Sequence, residues 1–148
     1  PDGHWEMVYS TGYHKLGHAH SLDGRTWKRY CNNPVFTGRG GGSWEDSLIK
    51  SADVRVHNGL YLMTYTGGDR GNFKVGFAMS RDGLHWVRHS TPVLGSEPTP
   101  GTWESGAVLG GAIAIDGGAL RMWYAGTGLT GSAIGLAIAE LPASWETP

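Results

Sequence analysis

Apolar and polar residues alternate in short runs along this chain, and the runs are broken by Gly and Asp-Gly pairs. GLYLMTYTG (59–67) and ALRMWYAG (119–126) mix aromatic and apolar residues and end in Gly. VGFAMS (75–80) and IGLAIA (134–139) follow them and alternate small side chains with large ones. Period-two alternation bounded by turn residues predicts strands. HNGL (57–60) and IDGG (115–118) set Asn-Gly and Asp-Gly between apolar runs, the strongest short hairpin signal. DVRV (53–56) and AIAI (112–115) stand before those turns as further strands. WKRYCNNPVF (27–36) and WVRHSTPVL (86–94) read as outer strands that end at Pro-Val. No stretch keeps a helical period.

The same pattern returns at a fixed step. Trp27, Trp86 and Trp145 stand 59 residues apart, as do Trp44 and Trp103, and Tyr65 and Tyr124. SWEDSLIKSADVRVHNGLYLMTYTG (43–67) lies over TWESGAVLGGAIAIDGGALRMWYAG (102–126) without a gap. The first copy is three residues shorter, between Tyr9 and Asp23. One unit thus holds about four antiparallel strands, and the units repeat, which describes the blade of a β-propeller. The fold expected is all-β: a partial propeller of about ten strands with negligible helix. The units are an incomplete first blade (1–43), a full blade (44–102) and an incomplete last blade (103–148). The first blade lacks its innermost strand and the last its outer strand. The core predicted is Tyr9, Trp27, Met63, Tyr65, Phe77, Trp86, Met122, Tyr124, Leu136 and Trp145, with Met79 and Ile138 beside them.

Composition agrees with this picture. Gly contributes 25 of 148 residues and aromatics are plentiful, so the glycines read as turns rather than disorder. A net charge of −1 gives no electrostatic case for nucleic acid or an anionic membrane. No apolar run reaches the ~18–20 residues of a membrane helix. Cys31 is the only cysteine, which excludes an internal disulfide. The compartment is not legible. At 59 residues per unit, 148 residues make about 2.5 blades, whereas propellers close with roughly 4–8. An open arc leaves bare blade faces and strand edges. If these residues are the whole functional chain, a twofold homodimer of about six blades is expected, because a twofold axis along the channel needs an even number of blades.

SLDGRTW (21–27) and SRDGLHW (80–86) share the form Ser-x-Asp-Gly-x-x-Trp. With YLMTYTGG and RMWYAGTG ahead of them, and PVF or PVL behind, these blades resemble the five-bladed glycoside hydrolase superfamily. That group holds families 43, 32, 68 and 130: arabinanases, xylosidases, invertases, levanases and mannoside phosphorylases. The sialidase Asp-box, Ser-x-Asp-x-Gly-x-Thr-Trp, is similar in form, but SLDGRTW is one residue short of it. Asp23 and Asp82 also have a plain turn role: each accepts hydrogen bonds from its own turn, followed by Gly24 or Gly83 at positive φ. In the third copy Leu141-Pro142 replaces Asp-Gly while Trp145 stays.

The resemblance implies chemistry by two carboxyl groups that flank a glycosidic bond. In those families an Asp followed by Pro opens a channel strand. Asp53 of ADVRV takes that place here, with Val54 instead of Pro. The equivalent position in the next unit is Ala112, and no Glu-Gly-Pro acid motif is present. Glu45 and Asp46 beside Trp44, and Glu104 beside Trp103, complete the candidate catalytic set. A cofactor and a metal are not expected. His14 lies near His18 and His20, which share one strand face, and the latter two align with the packing residues Phe77 and Met79. GRGGG (38–42) leads into strands, so it lacks the helix N-terminus that phosphate loops use. Two functions follow: a glycosidase-like protein acting on or binding carbohydrate, with an incomplete carboxylate set in one chain, or a non-catalytic or structural propeller module.

Overall fold

A computed structural model describes residues 3–69, 71–95 and 101–142. Those residues form twelve strands and no helix. The strands build three antiparallel four-stranded sheets, the architecture of a partial β-propeller. Sheet 1 holds β1 (Trp5–Ser10), β2 (Lys15–Ser21), β3 (Lys28–Arg29) and β4 (Phe36–Thr37). Sheet 2 holds β5 (Leu48–His57), β6 (Leu60–Asp69), β7 (Asn72–Ser80) and β8 (Trp86–Arg88). Sheet 3 holds β9 (Ala107–Leu109), β10 (Ile113–Asp116), β11 (Ala119–Gly128) and β12 (Gly131–Glu140).

Sheet 2 runs in the order β5-β6-β7-β8, as the hydrophobic pattern predicts. The turns obey their residues: Asn58 and Gly59 sit at φ 49° and 75°, and Gly117 and Gly118 at 58° and 79°. Two positive φ values in a two-residue loop suit the right-handed twist of the paired strands. The innermost strand is longer than DVRV and carries a bulge between Lys50 and Asp53, with Ser51 at φ 51°. In sheet 3 the corresponding stretch is split into β9 and β10, both paired to β11.

The outer strand of the first unit departs from the expected continuous run. It divides into β3 and β4, and the Asn33 side chain bridges the interval. Its amide accepts from His18 N at 2.8 Å and donates to His18 O at 2.9 Å, standing in for a ladder residue.

Both Asp-Gly turns form as their residues dictate. Asp23 Oδ1 accepts from the backbone of Arg25 and Thr26 at 2.8 and 2.7 Å, and Asp82 Oδ1 from Leu84 and His85 at 2.9 and 2.8 Å. Gly24 and Gly83 take φ 69° and 72°. Trp86 Nε1 then donates to Gly83 O at 3.0 Å, which fixes the ring at the head of β8.

The core lies between sheets rather than within one. Leu16 and Phe36 of sheet 1 meet Ile49, Met63, Tyr65 and Ala78 of sheet 2. Val75 of sheet 2 meets Val108, Ile113, Met122 and Tyr124 of sheet 3. Of the predicted core, Met63, Tyr65, Met122 and Tyr124 are buried, and Tyr9, Trp27, Phe77 and Trp86 are half-buried. Trp145 lies outside the described residues. Leu136 is a correction. It is 49 % exposed, and Ile138 is 57 % exposed, because they share the outer face of sheet 3 with Trp123 and Ile134. No described sheet covers that face. Their counterparts Phe77 and Met79, one step earlier, have sheet 3 as a neighbour and are half-buried.

The backbone donors around Asp82, then its His85 contact, hold its carboxyl well below the usual carboxylate range. A depressed folded pKa means that the unfolded chain binds the proton first as pH falls. The stabilisation is therefore present above about pH 4 and fades with acid. Asp82→Asn is expected to lower the urea midpoint at neutral pH, and the gap from wild type to narrow between ~pH 5 and ~pH 2. Urea titrations at stepped pH check this; a gap that does not change with pH refutes the turn role.

Candidate functional site

Trp44 stacks on Tyr65 with ring centroids 6.1 Å apart at 20°, and Trp103 on Tyr124 at 5.7 Å and 25°. Glycine makes room for each ring. A Cβ on Gly67 or Gly126 would stand 2.6 or 2.3 Å from the neighbouring indole. The stacks aim the tyrosine hydroxyls at the two candidate glutamates: Tyr65 donates to Glu45 Oε2 at 2.6 Å, and Tyr124 to Glu104 Oε2 at 2.8 Å. Burial first, and then the bond to Glu45, push the Tyr65 hydroxyl far above its ordinary range, so it stays a donor.

Glu45 itself is fully buried. Its Oε1 meets Arg88 at 2.6 Å and Arg39 at 3.1 Å. Arg88 also donates to Thr37 O at 2.7 Å and lies 3.9 Å over the Phe36 ring. One carboxylate thus ties the loop before β5 to β8 and, through Arg88, to β4. This geometry is a latch between sheets 1 and 2. Arg39 of the GRGGG stretch is spent on that latch, while Gly42 N donates to Asp46 Oδ2 at 2.9 Å and closes the same loop. Glu104 holds its tyrosine and is half-buried; the residues one step after Arg39 and Arg88 are Pro98 and Thr147, so the arginine pair is not repeated in the sequence.

Asp53 occupies a different place. It follows the bulge in β5, partly open to solvent, with a side-chain exposure of 26 %. Its Oδ1 accepts from Val54 N at 2.9 Å and from Arg55 at 2.7 Å. Its Oδ2 accepts from Ile113 N of β10 at 2.7 Å, so the carboxylate joins the innermost strands of sheets 2 and 3. It lines a cleft of about 340 Å³ together with Arg55, Glu6, Val8 and Trp27. The cleft holds none of the other three candidates. Glu45, Asp46 and Glu104 are therefore not gathered around Asp53; the carboxylate that shares its cleft is Glu6.

Glu6 escaped the sequence reading. Its repeat position carries Leu62 and Arg121, so a charge at a place otherwise apolar in the full blade was the available signal. His4 Nε2 lies 3.5 Å from its Oε1, and Tyr61 lines the same cavity. Burial, then the neighbouring Glu6 carboxylate, raise the Tyr61 hydroxyl above its usual range. Behind Glu6, a cavity of about 120 Å³ is lined by His18, Tyr61 and three valines. His18 is 7 % exposed and neither ring nitrogen has a hydrogen-bond partner. Burial pushes its pKa down, with Glu6 opposing and His20 assisting. His20 points to the surface. No group of three or more His, Cys, Asp or Glu among the described residues is placed to hold a metal ion.

No protein-family model matches the sequence. A 1,2-β-oligomannan phosphorylase of Thermoanaerobacter sp. (strain X514) is 27 % identical over 78 residues, 47 % of this chain and 26 % of that protein. Solved structures match over nearly the whole chain. A family 117 glycoside hydrolase from Zobellia galactanivorans superposes with a TM-score of 0.80 at 18 % identity, over 96 % of this chain and 50 % of that one. A structure described with the GH130 mannoside phosphorylases and the β-1,2-mannosidic glycoside hydrolases among them gives 0.70 at 20 %, over 94 % and 43 %. The Bombyx mori GH32 β-fructofuranosidase BmSUC1 gives 0.69 at 16 %, over 99 % and 34 %. The chain has the fold of the glycoside hydrolase β-propellers. It spans about half the length of these structures, or less, and about a quarter of the curated relative.

Removing Glu45 would strand two arginines, one of them mostly buried, and the Tyr65 hydroxyl. Breaking a buried ion pair from one side costs about 3 kcal/mol or more. Glu45→Ala is accordingly expected to lose on that order of unfolding free energy in urea, and Glu104→Ala to lose less. Equal stability losses for the two variants would refute the latch.

Proposed function

We propose that this chain is part of a carbohydrate-active propeller and that Asp53 is its contribution to the reacting or binding centre. The observation that carries this reading is the placement of the Asp53 carboxylate: at the junction of two innermost strands, partly open, and facing a cleft beside Arg55. Three hydrogen bonds fix both of its oxygens, so the group is oriented before a sugar arrives. Such an acceptor suits a sugar hydroxyl or a base or nucleophile role in glycosyl transfer. Glu45 and Asp46 act in this reading as architecture, and Glu104 as their weaker counterpart. A second carboxyl group for turnover then comes from outside the set first singled out. The propeller fold and the match to an oligomannan phosphorylase support carbohydrate as the ligand class. A sugar panel that includes β-1,2-mannooligosaccharides, with and without inorganic phosphate, and sucrose tests it. Asp53→Asn is expected to lower turnover about 100-fold or more, or to abolish binding, while leaving the fold intact by circular dichroism. Undiminished turnover or binding in that variant would remove Asp53 from the site.

A second reading concerns assembly. Trp123, Ile134, Leu136 and Ile138 leave an apolar face bare on sheet 3. The corresponding face of sheet 2 packs on a Met-Tyr ridge, Met122 and Tyr124; Met7 and Tyr9 of β1 form the same ridge at the other end of the arc. If these residues are the whole functional chain, we infer that a second copy covers the face, ridge against face twice, in a twofold dimer. Light scattering after size exclusion is expected to give twice the 15.9 kDa chain mass, and Leu136→Glu to reduce it to one. A wild-type monomer at micromolar concentration refutes the dimer.

A further inference from the structure

The two seams between sheets have equivalent cavities with opposite chemistry. Between sheets 2 and 3 a cavity of about 370 Å³ is lined by Thr64, Phe77, Leu120 and Met122, among other mostly apolar groups. One repeat step earlier, Phe77 becomes His18 and Leu120 becomes Tyr61. Between sheets 1 and 2 those two residues line the 120 Å³ cavity with Glu6. That cavity adjoins the 340 Å³ cleft of Asp53, with Glu6, Val8 and Val54 bordering both. The exchange runs the other way at one position, where Thr64 stands for Val8, but the imidazole, phenol and carboxylate all fall in the seam that borders Asp53.

His18 is the group that demands an explanation. It is more than nine-tenths buried, and both ring nitrogens face no partner. A buried polar group without a partner is costly, and Phe77, in the same position one seam on, carries no polar atom. The neighbouring walls are Val8, Val54 and Val56, with Trp27 at the cleft edge. Apolar walls, one aromatic face and a few convergent polar groups describe a sugar site, because a pyranose presents both C–H faces and hydroxyls.

We propose that the seam between sheets 1 and 2 is a saccharide subsite in which Glu6 and His18 hold the hydroxyls of one sugar unit next to Asp53. This rests on the carbohydrate reading above. Tyr61 lines the cavity beside Glu6, and His4 lies 3.5 Å from the Glu6 carboxylate. His18 then supplies one nitrogen as donor and one as acceptor to the sugar.

Calorimetry with β-1,2-mannotriose and with sucrose, on the full chain, tests the proposal. His18→Phe, which copies the next seam, is expected to raise the melting temperature yet weaken sugar affinity at least tenfold. Glu6→Gln is expected to weaken affinity as well. In the wild-type protein, long-range ¹H–¹⁵N spectra are expected to show the His18 imidazole resonances shifting on sugar addition, a readout that requires no variant. If Asp53→Asn loses binding but both seam variants keep it, and the imidazole does not shift, the subsite is refuted while the carbohydrate reading stands. If neither sugar binds wild-type protein, both are refuted.

Discussion

Each seam of this arc depends on an indole stacked on a tyrosine whose hydroxyl ends on a buried or half-buried carboxylate. The ring pair fills the space between sheets, and the hydrogen bond lets a phenol enter a core without a stranded polar group. Gly67 and Gly126 are the condition for it, since any side chain there collides with the indole. At the first seam the carboxylate also draws in two arginines, so a loop, an outer strand and the neighbouring sheet converge on Glu45. The second seam keeps the stack and the tyrosine bond. The difference makes the first seam the more polar and the more strongly specified of the two.

That polarity has a consequence for function. A propeller of apolar seams is scaffold, and its chemistry sits where the innermost strands meet. Here the bulge before Asp53 and the Ile113 amide of the next sheet place a carboxylate at such a junction. The bulge matters because it re-aims the strand at the point where the side chain must leave the regular alternation. Glu6, His18 and Tyr61 extend the polar surface from that junction into the seam itself. Glu45 is fully buried under two arginines and serves cohesion; Asp53, held by two backbone amides and Arg55, stays partly open at the edge of a cleft.

The outer face of sheet 3 shows the limit of reading burial from periodicity. Leu136 and Ile138 have the spacing and the apolar character of Phe77 and Met79. The pattern states which side of a strand is suited to burial; it does not state whether a sheet lies against it. The same holds for the glutamates. Glu45 and Glu104 share a repeat position, yet Glu45 is the one that meets Arg39 and Arg88, the latter 43 positions away.

Local chemistry was enough to write down the strands, the Asn-Gly and Asp-Gly turns, the blade unit and its 59-residue step, because side-chain alternation and turn residues act over a few positions. Asp53 was singled out by the family resemblance, as the head of a strand, whereas it lies within β5 just after a bulge. Tertiary structure decided the rest. It gave Glu45 its two arginines, set Asp53 against Ile113 of the next sheet, and left His18 unpartnered behind Glu6. Those outcomes turn on which sheet faces which side chain across a seam, and the contacts of Arg88 with Glu45 and of Ile113 with Asp53 span 43 and 60 positions, beyond the reach of any local pattern.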